Sequence, residues 1–350
     1  MNHLKSSVKK LKVDYNVIRS IVKNRPAIAA VLMTHRCNLK CKFCVFWKRP
    51  VNIEKEMKLE DHKRFSSICK KLGVRSINLV GGEPFVRKDL YDIVKMYSED
   101  HIVIINTNGT LINRDNAKRI WEAGLDVMNI SIDAFSEDIH DDFRGAGVYQ
   151  KAMKSIEYLK ETRTKKDQRI AIQAIYSPQV ADQFDDFLTF CDEQNIEFAC
   201  NPYRPDDNHQ VKLDFSSGYS AEHLYELKRK HPSFKISDYT IKKTGEFIKN
   251  GVVPDCKAGK QFFVIDPYGN IVICENYVEE KDVLMNINDP NFTIEKVKNL
   301  LDFAYKNNKC EKCYARERGD IEYLYEMRNF VWIKDLLSQS KYSKKFFINK

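Results

Sequence analysis

The sequence predicts an α/β fold, a partial (β/α)6 barrel followed by a small C-terminal subdomain. Short apolar runs typical of buried strands recur between residues 28 and 200, and stretches with helical periodicity lie between them. Six strand–helix units in alternation imply parallel strands joined by right-handed crossovers. The length of 350 residues accommodates one barrel-sized domain and a small appendage.

The apolar runs assigned to strands occupy 28–33, 76–80, 102–106, 127–132, 169–175 and 196–200. Examples of the intervening helical periodicity lie at 88–98, 114–123, 149–160 and 183–194. Active sites of such folds lie at the carboxyl ends of the strands. The residues that directly follow each apolar run are therefore the site candidates.

Three cysteines follow the first run with the spacing C-x3-C-x2-C: Cys37, Cys41 and Cys44. Three thiolates so close together can cap three irons of one [4Fe–4S] cluster and leave the fourth iron open to an exogenous ligand. A zinc site needs a fourth protein ligand, and His35 is too close to Cys37 in sequence to complete one easily. The spacing therefore predicts a reactive iron–sulfur site.

Polar motifs follow the next three runs. The second run ends in Gly81-Gly82-Glu83-Pro84, where glycine permits close approach of a ligand, although a plain strand-to-helix turn explains the motif too. The third run leads to Asn108, and the fourth to Ser131 and Asp133, with Arg144 shortly afterwards. For each of these four residues, a helix N-cap or turn hydrogen bond is the alternative interpretation.

In this order, the motifs resemble the radical S-adenosylmethionine (SAM) superfamily, whose signature has an aromatic residue before the last cysteine, here Phe43. The resemblance implies an open, TIM-like barrel over roughly residues 26–205. It also implies that SAM chelates the open iron and is cleaved to methionine and a 5′-deoxyadenosyl radical. By the same resemblance, Glu83 binds the methionine amine, Ser131 and Asp133 lie near the ribose and methionine, and Arg144 contacts the carboxylate. The implied cofactor-binding residues are Phe43, Gly81, Gly82, Glu83, Pro84, Asn108, Ser131, Asp133 and Arg144.

A second cysteine set lies beyond the barrel: Cys256, Cys274, Cys310 and Cys313. The stretch 256–274 reads as a β-hairpin with its turn at 266–270, which brings its flanking cysteines together. The set resembles the twitch form of the SPASM extension, which carries one auxiliary [4Fe–4S] cluster. Four thiolates would saturate such a cluster and suit it to electron transfer, whereas a structural zinc site is the rival interpretation. Three further cysteines sit among apolar neighbours and are expected to be buried: Cys69, Cys191 and Cys200.

Substrate-binding residues are less clearly marked. Polar candidates near the expected barrel mouth and the second cysteine set are Tyr176, Tyr203, Arg204, Asp206 and Glu275. Aspartate- and proline-containing segments also form ordinary loops, so a purely structural role explains them equally well. No general base stands out.

Composition limits the remaining choices. The hydrophobic fraction of 43% and the charged fraction of 31% are typical of a globular protein, and no apolar run approaches the length of a membrane-spanning helix. The N-terminus lacks the pattern of a signal peptide, and clustered cysteines favour metal ligands over disulfides, so we expect the cytoplasm. The net charge is +9, with basic, partly apolar segments at 1–25 and 341–350. Packed helices with solvated lysines explain these best; contact with an anionic membrane surface or an acidic peptide is the alternative, and no nucleic-acid-binding motif accompanies the charge.

The sequence thus predicts a basic helical segment at 1–25, the barrel at 26–235, an auxiliary-cluster domain at 236–319, and a helix and tail at 320–350. We expect a radical SAM oxidoreductase that receives electrons from a flavodoxin or ferredoxin. The substrate candidates are a ribosomal peptide precursor, a sugar or aminocyclitol, and a lipid-linked intermediate. The alternative outside enzymes is a structural or redox-sensing metal-binding protein.

Overall fold

A computed structural model describes residues 25–203, 219–275, 282–311, 313–314 and 319. Nine strands of these residues form one sheet, in the order β6-β5-β4-β3-β2-β1-β7-β8-β9. The strands are β1 (Ile28–Leu32), β2 (Ser76–Val80), β3 (Ile102–Thr107), β4 (Val127–Ser131), β5 (Arg169–Tyr176), β6 (Glu197–Pro202), β7 (Phe262–Ile265), β8 (Asn270–Val272) and β9 (Met285–Asn286).

Strands β1 to β5 each pair in parallel with the next strand along the chain, so that β1 to β6 form one parallel series. The two outer strands, β6 and β9, do not pair with each other, so the sheet stays open. This arrangement confirms the predicted α/β fold and the partial barrel. Consecutive parallel strands require a crossover after each one, and helices supply it.

The described helices are α1 (Leu59–Leu72), α2 (Leu90–Tyr97), α3 (Arg114–Glu122), α4 (Glu137–Arg144), α5 (Val148–Thr162), α6 (Phe184–Gln194), α7 (Ala221–Lys230), α8 (Asp238–Asn250) and α9 (Ile294–Lys306). Local sequence explains their ends: α1 stops at Gly73, which has a left-handed φ of 88°, and Asn113 caps α3 by accepting from the Asn116 backbone N–H. The apolar faces of the helices pack on the sheet, and Phe65, Tyr97 and Trp121 are fully buried there.

The predicted hairpin is confirmed, because β7 and β8 pair antiparallel across a turn at 266–270. The Asp266 carboxylate organises the turn by accepting the backbone N–H groups of Tyr268 and Asn270, at 2.8 and 2.9 Å. Strand β7 also pairs in parallel with β1, from Ile28↔Phe262 to Val31↔Ile265. The hairpin therefore continues the barrel's own sheet, which the sequence did not indicate.

Some predictions fall outside the described residues. The basic segment at 1–24, the helix and tail at 320–350, and the candidates Arg204 and Asp206 belong to this group. The domain boundaries therefore stay predictions. Within the described part of the chain, every helix is too short or too polar to cross a bilayer.

Candidate active site

A cavity of about 360 Å³ lies between the barrel strands and the hairpin. Residues from both cysteine sets line it, all seven of them: Cys37, Cys41, Cys44, Cys256, Cys274, Cys310 and Cys313. The structure thus brings together two groups of thiols that are more than 200 residues apart in sequence. The other three cysteines, Cys69, Cys191 and Cys200, are buried in the core as expected, and all ten are free thiols.

The first cysteine loop is held by backbone contacts. The Leu39 N–H lies 3.4 Å from the Cys37 sulfur, the Trp47 indole N–H donates to the Cys41 carbonyl at 3.2 Å, and the Lys42 N–H donates to the Phe143 carbonyl at 2.9 Å. Burial raises the pKa of Cys37 to about 11 and also raises the pKa of Cys41. Metal ligands must be deprotonated, so a metal bound at this loop would have to displace these protons.

The Gly-Gly-Glu turn packs directly on this loop. The Gly82 N–H donates to the Thr34 carbonyl at 2.7 Å, and the Glu83 N–H donates to the Arg36 carbonyl at 2.8 Å. A Cβ atom on Gly82 would lie 2.0 Å from the Arg36 carbonyl oxygen, and Gly81 has a φ of +115°. The glycines are therefore required for the contact between the two loops, in addition to any ligand.

The Glu83 carboxylate faces the cavity although only 1% of the residue is exposed. Its Oε1 accepts from the Thr107 hydroxyl at 2.8 Å and from the Phe85 N–H at 3.0 Å, and its Oε2 accepts from the Asn108 N–H at 2.9 Å. Burial raises the pKa of Glu83, and these hydrogen bonds partly oppose the rise. A buried, fixed carboxylate of this kind suits a cationic ligand group such as an ammonium. Of the other residues named for this turn, Pro84 is buried and starts a short 3-10 turn, Pro84–Val86.

Arg144 lines the cavity and is paired with Asp133. The guanidinium donates through Nε and Nη2 to the two carboxylate oxygens, at 2.6 and 3.1 Å, and lies 5.1 Å from the Phe43 ring centroid. Burial lowers the pKa of Arg144, but Asp133 more than offsets this and raises it. Asp133 also accepts the Ile175 N–H at 3.0 Å, and its side chain is away from the main cavity. Its contacts are those of a residue that orients Arg144.

The deeper wall of the cavity combines amides with apolar side chains. Asn78, Asn106 and Ser131 line it from β2, β3 and β4, opposite an apolar surface from β1 and β7 formed by Ile28, Ala30, Phe262 and Val264. The side-chain amide oxygen of Asn78, Oδ1, is buried and has no hydrogen-bond partner among the described residues. Neither Asn78 nor Asn106 was predicted from the sequence. The sequence feature that could have indicated them is an asparagine among the apolar residues of a predicted strand.

The substrate candidates lie in different places. Glu275 lines the cavity, and its backbone carbonyl accepts from Arg49 Nη2 at 2.8 Å. Tyr203 is buried beside Phe43 and Asp133 in a small adjoining pocket. Tyr176 is fully buried, with its ring 4.7 Å from the Tyr219 ring and its hydroxyl bonded to the Ser220 carbonyl, so its contacts are those of a core residue.

The second cysteine set is assembled from three segments. Cys256 and Cys274 lie at the open end of the hairpin, and the Asn308 amide donates to the Cys256 carbonyl at 3.2 Å while accepting the Cys310 N–H at 3.0 Å. Among the described residues, no three Cys, His, Asp or Glu side chains converge on a single-ion site. All four cysteines of the second set nevertheless line the same cavity.

Comparison with known proteins assigns part of the chain to a family. Residues 31–191 match the family model described as the radical SAM superfamily. The chain therefore contains a radical SAM domain, and the superfamily implies a [4Fe–4S] cluster and SAM.

The relatives differ in what they catalyse. The AdoMet-dependent heme synthase of Oleidesulfovibrio alaskensis is 33% identical over 42% of this chain, and the match spans only 39% of that relative. The GTP 3′,8-cyclase of Campylobacter lari is 28% identical over 69% of this chain and 72% of its own length. The crystal structure of SuiB from Streptococcus suis bound to SAM is similar in fold, with a TM-score of 0.60 and 19% identity over 82% of this chain and 67% of that chain.

Proposed function

We propose that this protein is a radical SAM oxidoreductase whose active site is the cavity lined by the seven cysteines. The observation that carries the proposal is that both cysteine groups, Glu83 and Arg144 line one cavity. The cluster and SAM, when bound, supply a 5′-deoxyadenosyl radical that removes a hydrogen atom from the substrate.

The chain's own residues would hold SAM by its charged ends. Glu83 is oriented by three hydrogen-bond donors and would accept from the methionine ammonium group. Arg144 is held by Asp133 and would donate its remaining N–H groups to the methionine carboxylate. Cys37, Cys41 and Cys44 would ligate the cluster, and Asn108 and Ser131, which line the same cavity, would contact the rest of the cofactor. The protein thus supplies orientation and excludes water, while the cofactors carry the difficult chemistry.

We further propose that Cys256, Cys274, Cys310 and Cys313 hold an auxiliary [4Fe–4S] cluster. Four thiolates leave no open iron, so the cluster would accept the electron remaining on the substrate radical. Its place on the same cavity as the first cysteine set supports this role. A structural zinc site formed by the same cysteines is the rival hypothesis.

The charges of the cavity favour a substrate whose reacting part is uncharged. The charged side chains that line the described part of the cavity are Glu83, Arg144 and Glu275, and the basic member is already paired with Asp133. A triphosphate needs several arginine or lysine donors. We therefore expect no binding of GTP in calorimetry with the reconstituted protein, in contrast to the activity that names the cyclase relatives. GTP binding that survives excess SAM would refute this.

The remaining substrate candidates are a peptide precursor, a sugar or aminocyclitol, and a lipid-linked compound. One SuiB structure is described as bound to its precursor peptide SuiA, and at 19% identity that likeness concerns the fold alone. A flavodoxin or ferredoxin is our proposed electron donor, and the cytoplasm our proposed compartment. Peripheral membrane contact stays a hypothesis for the basic segments outside the described residues.

The proposal is tested by anaerobic reconstitution followed by reduction with dithionite. Wild-type protein is expected to carry two four-iron clusters and to convert SAM to 5′-deoxyadenosine. Cys41→Ala is expected to abolish this conversion, and the double change Cys310→Ala and Cys313→Ala to leave one cluster. A structural or redox-sensing metal protein would bind iron without cleaving SAM. Zinc at the C-terminal cysteines would refute the electron-acceptor role and leave the barrel chemistry standing.

A further inference from the structure

Arg49 joins the two cysteine segments. It follows Cys44 by five residues, and its Nη2 donates at 2.8 Å to the carbonyl oxygen of Glu275, the residue directly after Cys274. The two bonded residues are 226 positions apart in sequence. One side chain therefore fixes the end of the first cysteine loop against the exit of the hairpin.

The guanidinium of Arg49 is confined by an aromatic ring and is partly buried. It stacks on Phe46, a cavity-lining residue, with 4.5 Å to the ring centroid, and the Arg49 backbone N–H donates to the Phe46 carbonyl at 3.1 Å. Its Nη1 is buried and has no hydrogen-bond partner among the described residues. A buried donor without an acceptor is costly, so it indicates an acceptor that the described residues do not provide.

Negatively charged and ionisable groups lie around the Arg49 guanidinium. Burial lowers the pKa of Arg49, whereas the charges of Glu275, Cys44 and Cys274 raise it. Cys44 belongs to the first cysteine set and Cys274 to the second. The neighbouring residue Lys48 is exposed, and its ammonium group lies over the Trp47 ring. Lys48 is therefore a solvent-exposed cation with which the buried charge of Arg49 can be compared.

We propose that Arg49 is a positioning residue that places one positive charge and one free N–H between the two clusters and raises the reduction potential of both. This inference rests on the proposed function, since it needs clusters at both sites. Cluster potentials depend on net charge and on hydrogen bonds to the sulfurs, and a nearby cation stabilises the more negative, reduced form. Raised potentials would ease electron transfer into the cluster at Cys37, Cys41 and Cys44 and electron acceptance at the hairpin.

The test is a redox titration of the reconstituted protein, followed by electron paramagnetic resonance. Arg49→Gln removes the charge but keeps a donor, Arg49→Lys keeps the charge but loses the two-armed geometry, and Lys48→Gln is the matched control. For Arg49→Gln we expect the reduced-to-oxidised ratio of each cluster, at its wild-type midpoint, to fall about tenfold, equivalent to about 59 mV for a one-electron couple. Arg49→Lys should retain most of the potential, and Lys48→Gln should leave it unchanged.

Three outcomes would overturn the inference. Unchanged potentials in Arg49→Gln would show that the charge does not act on the clusters. An equal fall in Arg49→Lys or in Lys48→Gln would show that charge at this place is not the cause. Zinc at the C-terminal site in an otherwise active enzyme would remove the second cluster from the inference. A wild-type protein that loads no cluster at all refutes the proposed function instead, so the two failures are distinguishable by iron and sulfide content.

Discussion

Gly82 shows how closely two loops of one site can depend on a missing side chain. Its position allows the turn before Glu83 to lie on the backbone of the cysteine loop, with hydrogen bonds to the Thr34 and Arg36 carbonyls. The Arg36 carbonyl occupies the space that a Cβ would need. The cysteine loop and the glutamate are therefore positioned by the same contact.

We predict that Gly82→Ala displaces the cysteine loop, at a cost of about 3 kcal/mol or more in the free energy of unfolding. Iron content after reconstitution should fall to that of the C-terminal site alone. Gly147→Ala is the matched control, because a Cβ there meets nothing within 4 Å and the change costs only the backbone strain of a φ of +70°. A fully loaded Gly82→Ala protein would contradict the prediction.

Glu83 makes a separate prediction about cofactor affinity. Glu83→Gln removes the negative charge that would face the SAM ammonium group, an interaction of about 1.5–3 kcal/mol, so the Kd for SAM should rise roughly 10- to 100-fold. Calorimetry on the reconstituted protein measures this directly. Glu275→Gln removes a carboxylate from another part of the same cavity and should leave SAM affinity unchanged. Equal affinities in wild type and Glu83→Gln would place the ammonium group elsewhere.

At the scale of elements, a histidine braces two helices. His231 ends α7, and its ring nitrogens lie 2.8 Å from the Asp192 carboxylate and 3.0 Å from the Asp185 carboxylate, both on α6. The hydrogen bond from His231 lowers the pKa of Asp185; for Asp192, burial raises the pKa, but the bond from His231 and others lower it overall. Because carboxylates with lowered pKa values stabilise the fold only while ionised, this contribution is lost as the pH falls below about 4.

We predict that His231→Gln lowers the free energy of unfolding by about 1–3 kcal/mol at pH 7, because it removes a hydrogen bond to an ionised carboxylate; Asp192 keeps the Ser233 N–H as a donor. Urea denaturation followed by circular dichroism measures the change. Lys230→Gln removes an exposed cation from the same Asp185 and should cost less than about 1 kcal/mol. If both variants lose the same stability, the brace is no stronger than a surface ion pair.

Elements also show what sequence can and cannot predict. The β2 strand was predicted with its observed bounds: four of its five residues are buried, and its apolar residues Ile77, Leu79 and Val80 are interrupted only by Asn78. The hairpin was predictable from its Asp-Pro-Tyr-Gly-Asn turn. The pairing of β7 with β1 was not, since strands more than 200 residues apart carry no local sign of their partner. For the same reason, the candidate cysteine ligands could be proposed from their spacing, whereas the Arg49–Glu275 hydrogen bond appears only in three dimensions.

At the scale of the whole molecule, buried histidines are expected to make the fold sensitive to mild acid, and two of them have the pKa values that are lowered most. His62 contacts the Tyr97 hydroxyl at 2.9 Å, and His140 accepts the Asp133 N–H at 3.2 Å. Burial is the main cause that lowers the pKa of His62 to about 3 and of His140 to about 4. The unfolded chain binds protons near pH 6.5, and the folded protein does not, so stability present above pH 6.5 is lost as the pH falls towards 4.

We predict a loss of about 1.4 kcal/mol per pH unit for each of these histidines between pH 6 and 4.5. The double variant His62→Asn and His140→Asn keeps an acceptor near each Nδ1 position without a titrating ring, and it should flatten this dependence. Urea midpoints of cluster-free protein across the range provide the measurement. An equally steep dependence in the double variant would assign the acid sensitivity to other groups.

The parallel register of β7 with β1 has a practical consequence for protein engineering. A truncated protein that ends before Phe262 would lack the strand that pairs with Ile28–Val31. Strand β1 would then be an edge strand with one unpaired side, which is prone to self-association. The barrel and the hairpin therefore cannot be exchanged as independent units. A chimaera with a C-terminal region from another protein would fold only if that region supplied a strand that pairs with β1 as β7 does.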